Sequence, residues 1–154
     1  MSLDTRLSSI LHILLHMAEY DRPVTSDLLA KAMQTNPVVV RRTMAGLREN
    51  GLVRSERGHG GGWSLACDFE TVTLRDIHAA LGGTALLAIG HRSPHPSCLV
   101  EQAVNAALGD AFADAEALLL ARFGAVTLAQ LSADFHRRMA ATGHHLPEFD
   151  HHGP

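Results

Sequence analysis

Thr35-Asn36-Pro37-Val38-Val39-Val40-Arg41-Arg42 decides how this chain folds. Asparagine is a strong helix N-cap, and a proline at the first helical position loses nothing, because its missing N–H would have gone unpaired. The stretch therefore opens a helix, expected over residues 37–50, with Val40, Met44 and Leu47 on one face. Gly51 follows where a residue in left-handed conformation ends a helix. Arg41, Arg42 and Arg48 fall away from the apolar stripe, so this helix turns charge outward.

On its N-terminal side, Thr25 caps a short helix through about Met33, with Asp27 in the first turn where the dipole favours an anion. Before that, Leu7, Ile10, Leu11, Leu14 and Met17 recur at helical spacing from Thr5 to Tyr20, and Asp21-Arg22-Pro23 ends the run. On the C-terminal side, residues 52–57 and 62–66 read as strands around Gly58-His59-Gly60-Gly61, a β-hairpin. Trp63, alternating with its strand neighbours, is expected to pack this hairpin on the helices. Three helices and a hairpin make a winged helix-turn-helix, whose third helix enters the major groove while the wing reaches the adjacent backbone or minor groove.

Beyond the hairpin, Thr73 and Asp76 form a capping-box pattern for a helix to Leu81. Residues 82–97 lack a period and contain Pro94 and Pro96, a loop. Ser97 then opens a helix to about Phe123, roughly 40 Å long at 1.5 Å per residue. Val100, Val104, Leu108, Phe112, Leu118 and several alanines line one side of it. No domain of this size covers such a face alone, so a second copy of the chain is expected against it. Thr127 and Gln130 cap a last helix to about Met139, and a flexible tail is expected from Ala140. The expected class is mainly α with a small β-hairpin. The DNA-binding domain spans residues 1–83, a loop 84–97, the dimerisation helices 98–139 and the tail 140–154.

The formal net charge of -3 hides an asymmetry. Residues 1–66 carry eight Lys/Arg and six Asp/Glu, and the remainder five and ten, so a polyanion surface belongs in the first half. Between Asn36 and Gly62 stand Arg41, Arg42, Arg48, Arg54 and Arg57 against Glu49 and Glu56 alone. Arginine reads guanine bidentately and clamps phosphates. The glycine run at the wing tip permits close approach of backbone to DNA. Thr25, at its helix N-terminus, joins this set. No nucleophile–base pair, nucleotide fingerprint or HExxH motif suggests an enzyme, and so small a helical chain is expected to leave little room for a pocket. Two cysteines and no apolar stretch of about 20 residues predict a soluble cytoplasmic chain without membrane spans. A wing that binds protein instead of DNA is the alternative.

The run Glu49-Asn50-Gly51-Leu52-Val53-Arg54-Ser55 and then Arg57-Gly58-His59-Gly60-Gly61-Gly62-Trp63-Ser64-Leu65-Ala66 resembles the wing of the Rrf2 family of bacterial regulators. Thr73-Leu74-Arg75-Asp76-Ile77 and Thr127-Leu128-Ala129-Gln130-Leu131 extend the resemblance to about residue 135. It implies a homodimer built on the long helix, 98–123, bound to a partly palindromic stretch of double-stranded DNA, most often as a repressor. Carried over by position, Asn36, Val38, Val39, Arg41 and Arg42 face DNA from the recognition helix. Arg57, His59 and Gly60 do so from the wing.

Several members of that family hold an iron–sulfur cluster on three closely spaced cysteines before the long helix. Here Cys98 stands alone in that region and Cys67 lies at the end of the wing, so no cofactor is expected. The chain resembles a cluster-free branch, whose effector the sequence does not name. Cys98 reads three ways: a small apolar residue, a redox-sensing thiol activated by a helix N-terminus, or with His91 and His95 an H-x3-H-x2-C metal site. His12 and His16, at i, i+4, could chelate a metal or simply lie on the surface, and the tail histidines could bind metal adventitiously.

Overall fold

Four of the six helices described start at a side-chain cap. The computed structural model describes residues 5–83, 85–87 and 97–143. It contains α1 (Arg6–Ala18), α2 (Ser26–Ala32), α3 (Pro37–Glu49), β1 (Val53–Glu56), β2 (Gly62–Leu65), α4 (Leu74–Ala80), α5 (Leu99–Gly124) and α6 (Leu128–Thr142). Thr25 Oγ1 accepts from the Leu28 amide at 3.2 Å, and Asn36 Oδ1 accepts from the Val38 amide at 2.8 Å. Thr73 with Asp76, and Thr127 with Gln130, close reciprocal capping boxes. Gly51, at φ +72°, ends α3 in the conformation that glycine adopts without steric penalty.

One core joins most of these elements. Ile10, Ile13, Leu14 and Met17 of α1 meet Leu29 of α2 and Val40, Met44 and Leu47 of α3. Val53 of β1, Ile77 of α4 and Leu128 of α6 complete it. Each such burial contributes about 1.5–3 kcal/mol. β1 and β2 pair antiparallel, Val53 opposite Leu65 and Glu56 opposite Gly62. Val24, in the α1–α2 turn, adds a single bridge to Trp63, each amide donating to the other's carbonyl at 2.9 Å. The wing is thereby fixed to the helices that carry the recognition element.

The C-terminal helices return to this core. Thr73 and Thr127 form a bridge, the Leu74 amide donates to Val126 O, and the Leu128 amide donates to Val72 O at 2.9 Å. His136 of α6 meets both carboxylate oxygens of Glu19 at 2.9 and 3.0 Å.

Among the boundaries that differ from expectation, two bear on the C-terminal helices. α6 continues to Thr142, so residues 140–142 are helical where a flexible tail was expected. Ala140 and Ala141 are strong helix formers, and Gly143 in the left-handed conformation supplies the stop. Cys98 rather than Ser97 occupies the N-cap of α5. Pro94, Pro96, His91, His95 and the tail from residue 144 lie outside the described residues. Among the described residues no helix is long and apolar enough to cross a membrane.

Candidate nucleic-acid interface

α3 divides cleanly between core and solvent. Val40, Met44 and Leu47 are buried, while Val38 and Val39 stay 57% and 53% exposed. Large apolar side chains left in water at the start of a helix, beside exposed Arg41 and Arg42, suit contact with something both apolar and anionic. Arg41 and Arg48 lie seven residues apart and share one face, so Arg48 stands about 10 Å further along the axis. Asn36, exposed, is engaged by its cap through Oδ1. Thr25 is likewise exposed and engaged as an acceptor, which leaves its hydroxyl hydrogen to donate outward.

The hairpin separates its own residues into two groups. Arg57, His59 and Gly60 are all exposed at the tip. Arg54 instead lies in the cleft between the wing and the α1–α2 turn, its Nε 3.4 Å from Glu56, which also accepts from Ser64 Oγ at 2.8 Å. The structure therefore sets Arg54 apart from the tip group. The glycine run also proves heterogeneous. A Cβ at Gly62 would stand 2.6 Å from Val24 O, and one at Gly61 would collide with Glu56 O. These two glycines serve the chain's own packing, whereas at Gly58 and Gly60, both at positive φ, a Cβ meets open space. Trp63 anchors the wing as expected: its indole Nε1 donates to Ser26 Oγ at 2.9 Å. That bond, and the Val24–Trp63 bridge, join residues far apart in sequence and carry no local signal.

α5 behaves differently from every other helix. None of its 26 residues is buried, and Leu99, Val100, Val104, Leu108 and Leu118 are 78, 71, 49, 42 and 61% exposed. Cys98 at its start is exposed, and the Glu101 and Val100 amides hold its thiol below the ordinary pKa. Both amides belong to the first turn of the helix, where N–H groups without helical partners favour an anion. Cys67 is half-buried, and burial pushes its thiol up. The two Nε2 atoms of His12 and His16 are 2.8 Å apart, and burial, then the neighbouring His12, lowers the pKa of His16. Among the described residues no three His, Cys, Asp or Glu gather as a metal site.

Contrary to the expectation that helix packing fills so small a chain, concavities remain. One of about 530 Å³ lies beside α3, and another of about 690 Å³ lies between α1, α4, Leu86 and Phe123.

Comparison with known proteins agrees with this architecture. Residues 3–134 match the Rrf2 family, described as iron-dependent transcriptional regulators. The HTH-type transcriptional regulator YwnA of Bacillus subtilis is 31% identical over 110 residues, which cover 71% of this chain and 81% of YwnA. A transcriptional regulator from Lactobacillus plantarum superposes with a TM-score of 0.73 at 24% identity, covering 91% of this chain and 95% of its own. CymR, the global cysteine regulator of B. subtilis, superposes at 0.62 and 18% identity, over 86% of this chain and 97% of its own. At these identities the two solved structures show a shared fold. The family's description names iron, yet Cys67 follows the wing and Cys98 caps α5, so the described residues do not assemble a centre for it.

Proposed function

Because the chain belongs to the Rrf2 family of DNA-binding transcriptional regulators, we propose that it acts as a homodimeric repressor on a partly palindromic operator. The observation that carries this reading is the outward face of α3, where Val38, Val39, Arg41 and Arg42 are exposed together behind a capped N-terminus. In the major groove, Arg41 or Arg42 takes guanine O6 and N7, and the valines meet thymine methyl groups. Asn36 and Thr25, at two helix N-termini, take backbone phosphates. Arg57, His59 and Gly60 carry the wing against the neighbouring phosphates or minor groove. Arg48 and Arg54 add phosphate contacts, and releasing Arg54 from its exposed pair with Glu56 costs about 0–1 kcal/mol.

Dimerisation is supported by α5, which leaves its apolar side chains in water within one chain. Two copies joined along it place two α3 helices on half-sites about 34 Å apart, one turn of DNA, and occlusion of a promoter follows. No iron–sulfur cluster takes part in this reading. Exposure and a lowered pKa support Cys98 as a redox-responsive thiol, and equal responses to peroxide in wild type and Cys98→Ser would remove that role.

The deciding experiment measures binding to DNA from immediately upstream of the protein's own gene and to scrambled DNA, at one salt concentration. Preferential, dimeric, salt-sensitive binding is expected. Absence of binding to mixed genomic DNA even at low salt would overturn the proposal.

A further inference from the structure

α1 carries two imidazoles that neither the core nor the DNA face uses. His12 is exposed and His16 half-buried, one helical turn apart, on the side away from buried Ile10, Ile13, Leu14 and Met17. Their Nε2 atoms stand 2.8 Å apart, with ring centroids 4.6 Å apart and planes tilted by 36°. Neutral rings at that distance share one proton, so one presents an Nε2–H and the other an Nε2 lone pair.

A metal ion is the other occupant that two such nitrogens accept. Two histidines at i, i+4 on one helix face have the spacing with which a helix binds zinc. At Zn–N distances of about 2.0–2.1 Å and a tetrahedral angle, two ligand nitrogens stand about 3.3–3.4 Å apart. The pair must therefore open by about 0.5 Å, which a small rotation of the exposed His12 side chain supplies. The surroundings favour positive charge. His16 lies in the last turn of α1, where the helix dipole favours a cation. Glu19, on the same face, bears on His16 electrostatically and is itself faced by His136 Nε2 at 2.9 and 3.0 Å.

We propose that His12 and His16 chelate one divalent transition-metal cation of the zinc class through their Nε2 atoms. The ring that carries Nε2–H passes that proton through solvent to its own Nδ1, so both rings stay neutral and both Nε2 lone pairs reach the ion. Water fills the other positions, since no third His, Cys, Asp or Glu joins them among the described residues. Imidazole suits zinc, copper or nickel, whereas magnesium and calcium take oxygen ligands. None of the residues given to DNA belongs to this site, so it stands whether or not the chain binds an operator.

The probe is Zn²⁺ alone, titrated into the full chain and followed by imidazole nitrogen NMR, in which each histidine reports on itself. His12 and His16 should respond together, with one midpoint and one ion per pair. His16→Gln should raise the Zn²⁺ concentration at which His12 responds by at least about tenfold, because the second ligand no longer binds intramolecularly. His12→Gln should do the same to His16, and its exposed position keeps the test available if the half-buried site tolerates no change. Mg²⁺ at the same concentrations should move neither ring. Unchanged midpoints in the folded variants overturn chelation, and so does saturation of other histidines while His12 and His16 stay unmoved. An equal response to Mg²⁺ overturns the assignment to a transition metal. Thermal unfolding supplies a second readout. The pair exists only while α1 is helical, so Zn²⁺ should raise the Tm of wild type more than that of His12→Gln. Equal rises would mean that the ion does not bridge one turn of α1, and the site would fall.

Discussion

α3 and α5 are both helices with abundant apolar side chains, and they dispose of them in opposite ways. α3, with 13 residues, buries Val40, Met44 and Leu47 in its own chain and turns its arginines outward. α5, with 26 residues, buries none. Apolar side chains at three- and four-residue spacing next to the rest of the domain produce a core helix. The same spacing extended over about 39 Å outreaches the chain that carries it. The difference teaches that α3 buries its apolar stripe within one chain while α5 leaves its own exposed, and charged substitutions separate the two cases.

The largest effect is expected on α5. Val104→Glu with Leu108→Glu introduces charges where a second copy is expected to pack, at sites with no buried contact in the single chain. The protein should remain folded, sediment as a monomer, and lose about 10²–10⁴-fold in operator affinity, because two linked half-site contacts become one. An unchanged dimer in analytical ultracentrifugation would show that α5 is solvated like any surface and erase the contrast with α3.

On α3 the expected loss is one of stability. Met44 is fully buried, and Met44→Ala should destabilise the fold by about 2–5 kcal/mol in denaturant unfolding. On the other side of the same helix, Arg41→Ala should change stability by less than about 0.5 kcal/mol. It should instead cost about 1–3 kcal/mol of operator binding and relax preference at one base position. Arg57→Ala, from the wing, should weaken all sequences alike and shallow the salt dependence by about one counterion. Identical behaviour of the two arginine variants would deny a division between reading and clamping.

What could be read in advance follows the range of the forces. The Asn36-Pro37 start of α3, the Thr25 cap and both capping boxes are local chemistry within four residues, and all form as expected. The apolar excess of the long helix is equally plain in sequence. The roles of the wing glycines are not, because Gly62 is fixed by Val24, 38 residues earlier, while Gly58 and Gly60 face open space. The pairing of Arg54 with Glu56 belongs to β geometry, where residues two apart share a face, and that periodicity could have revealed it. The cavity beside α3 depends on how four elements meet, which no local pattern encodes. The DNA contacts assigned to individual residues rest on position in the fold and await the substitutions above.

A smaller effect is expected where α5 returns to its own chain. Asp76 completes the cap of α4 beside the Thr73–Thr127 bridge, and the Thr73 amide and hydroxyl hold its carboxyl below the usual range. Asp76→Ala should cost about 1 kcal/mol. A carboxyl whose pKa falls on folding stabilises fully above its unfolded value, about 3.9. That contribution is lost as pH falls through the folded value. Acid unfolding of Asp76→Ala should therefore be less pH-dependent than wild type below about pH 4. Equal acid sensitivity would mean that the cap is loose.

The two helix starts offer the finest contrast. Asn36 closes α3 with a hydrogen bond, whereas Cys98 leaves the first amides of α5 turned toward a thiol. Those amides favour the thiolate, so Cys98 ionises at lower pH than an ordinary cysteine, and burial makes Cys67 ionise at higher pH. Only the thiolate attacks iodoacetamide. As pH rises, labelling of Cys98 should therefore set in first, and near neutrality it should outpace Cys67 several-fold by mass spectrometry. Accessibility acts in the same direction, so the pH at which each rate reaches half its maximum is the discriminating quantity, and denatured protein supplies the reference. If both cysteines titrate together in the native chain, the N-terminus of α5 exerts no pull on the thiol. The resemblance of its start to that of α3 would then be geometric alone.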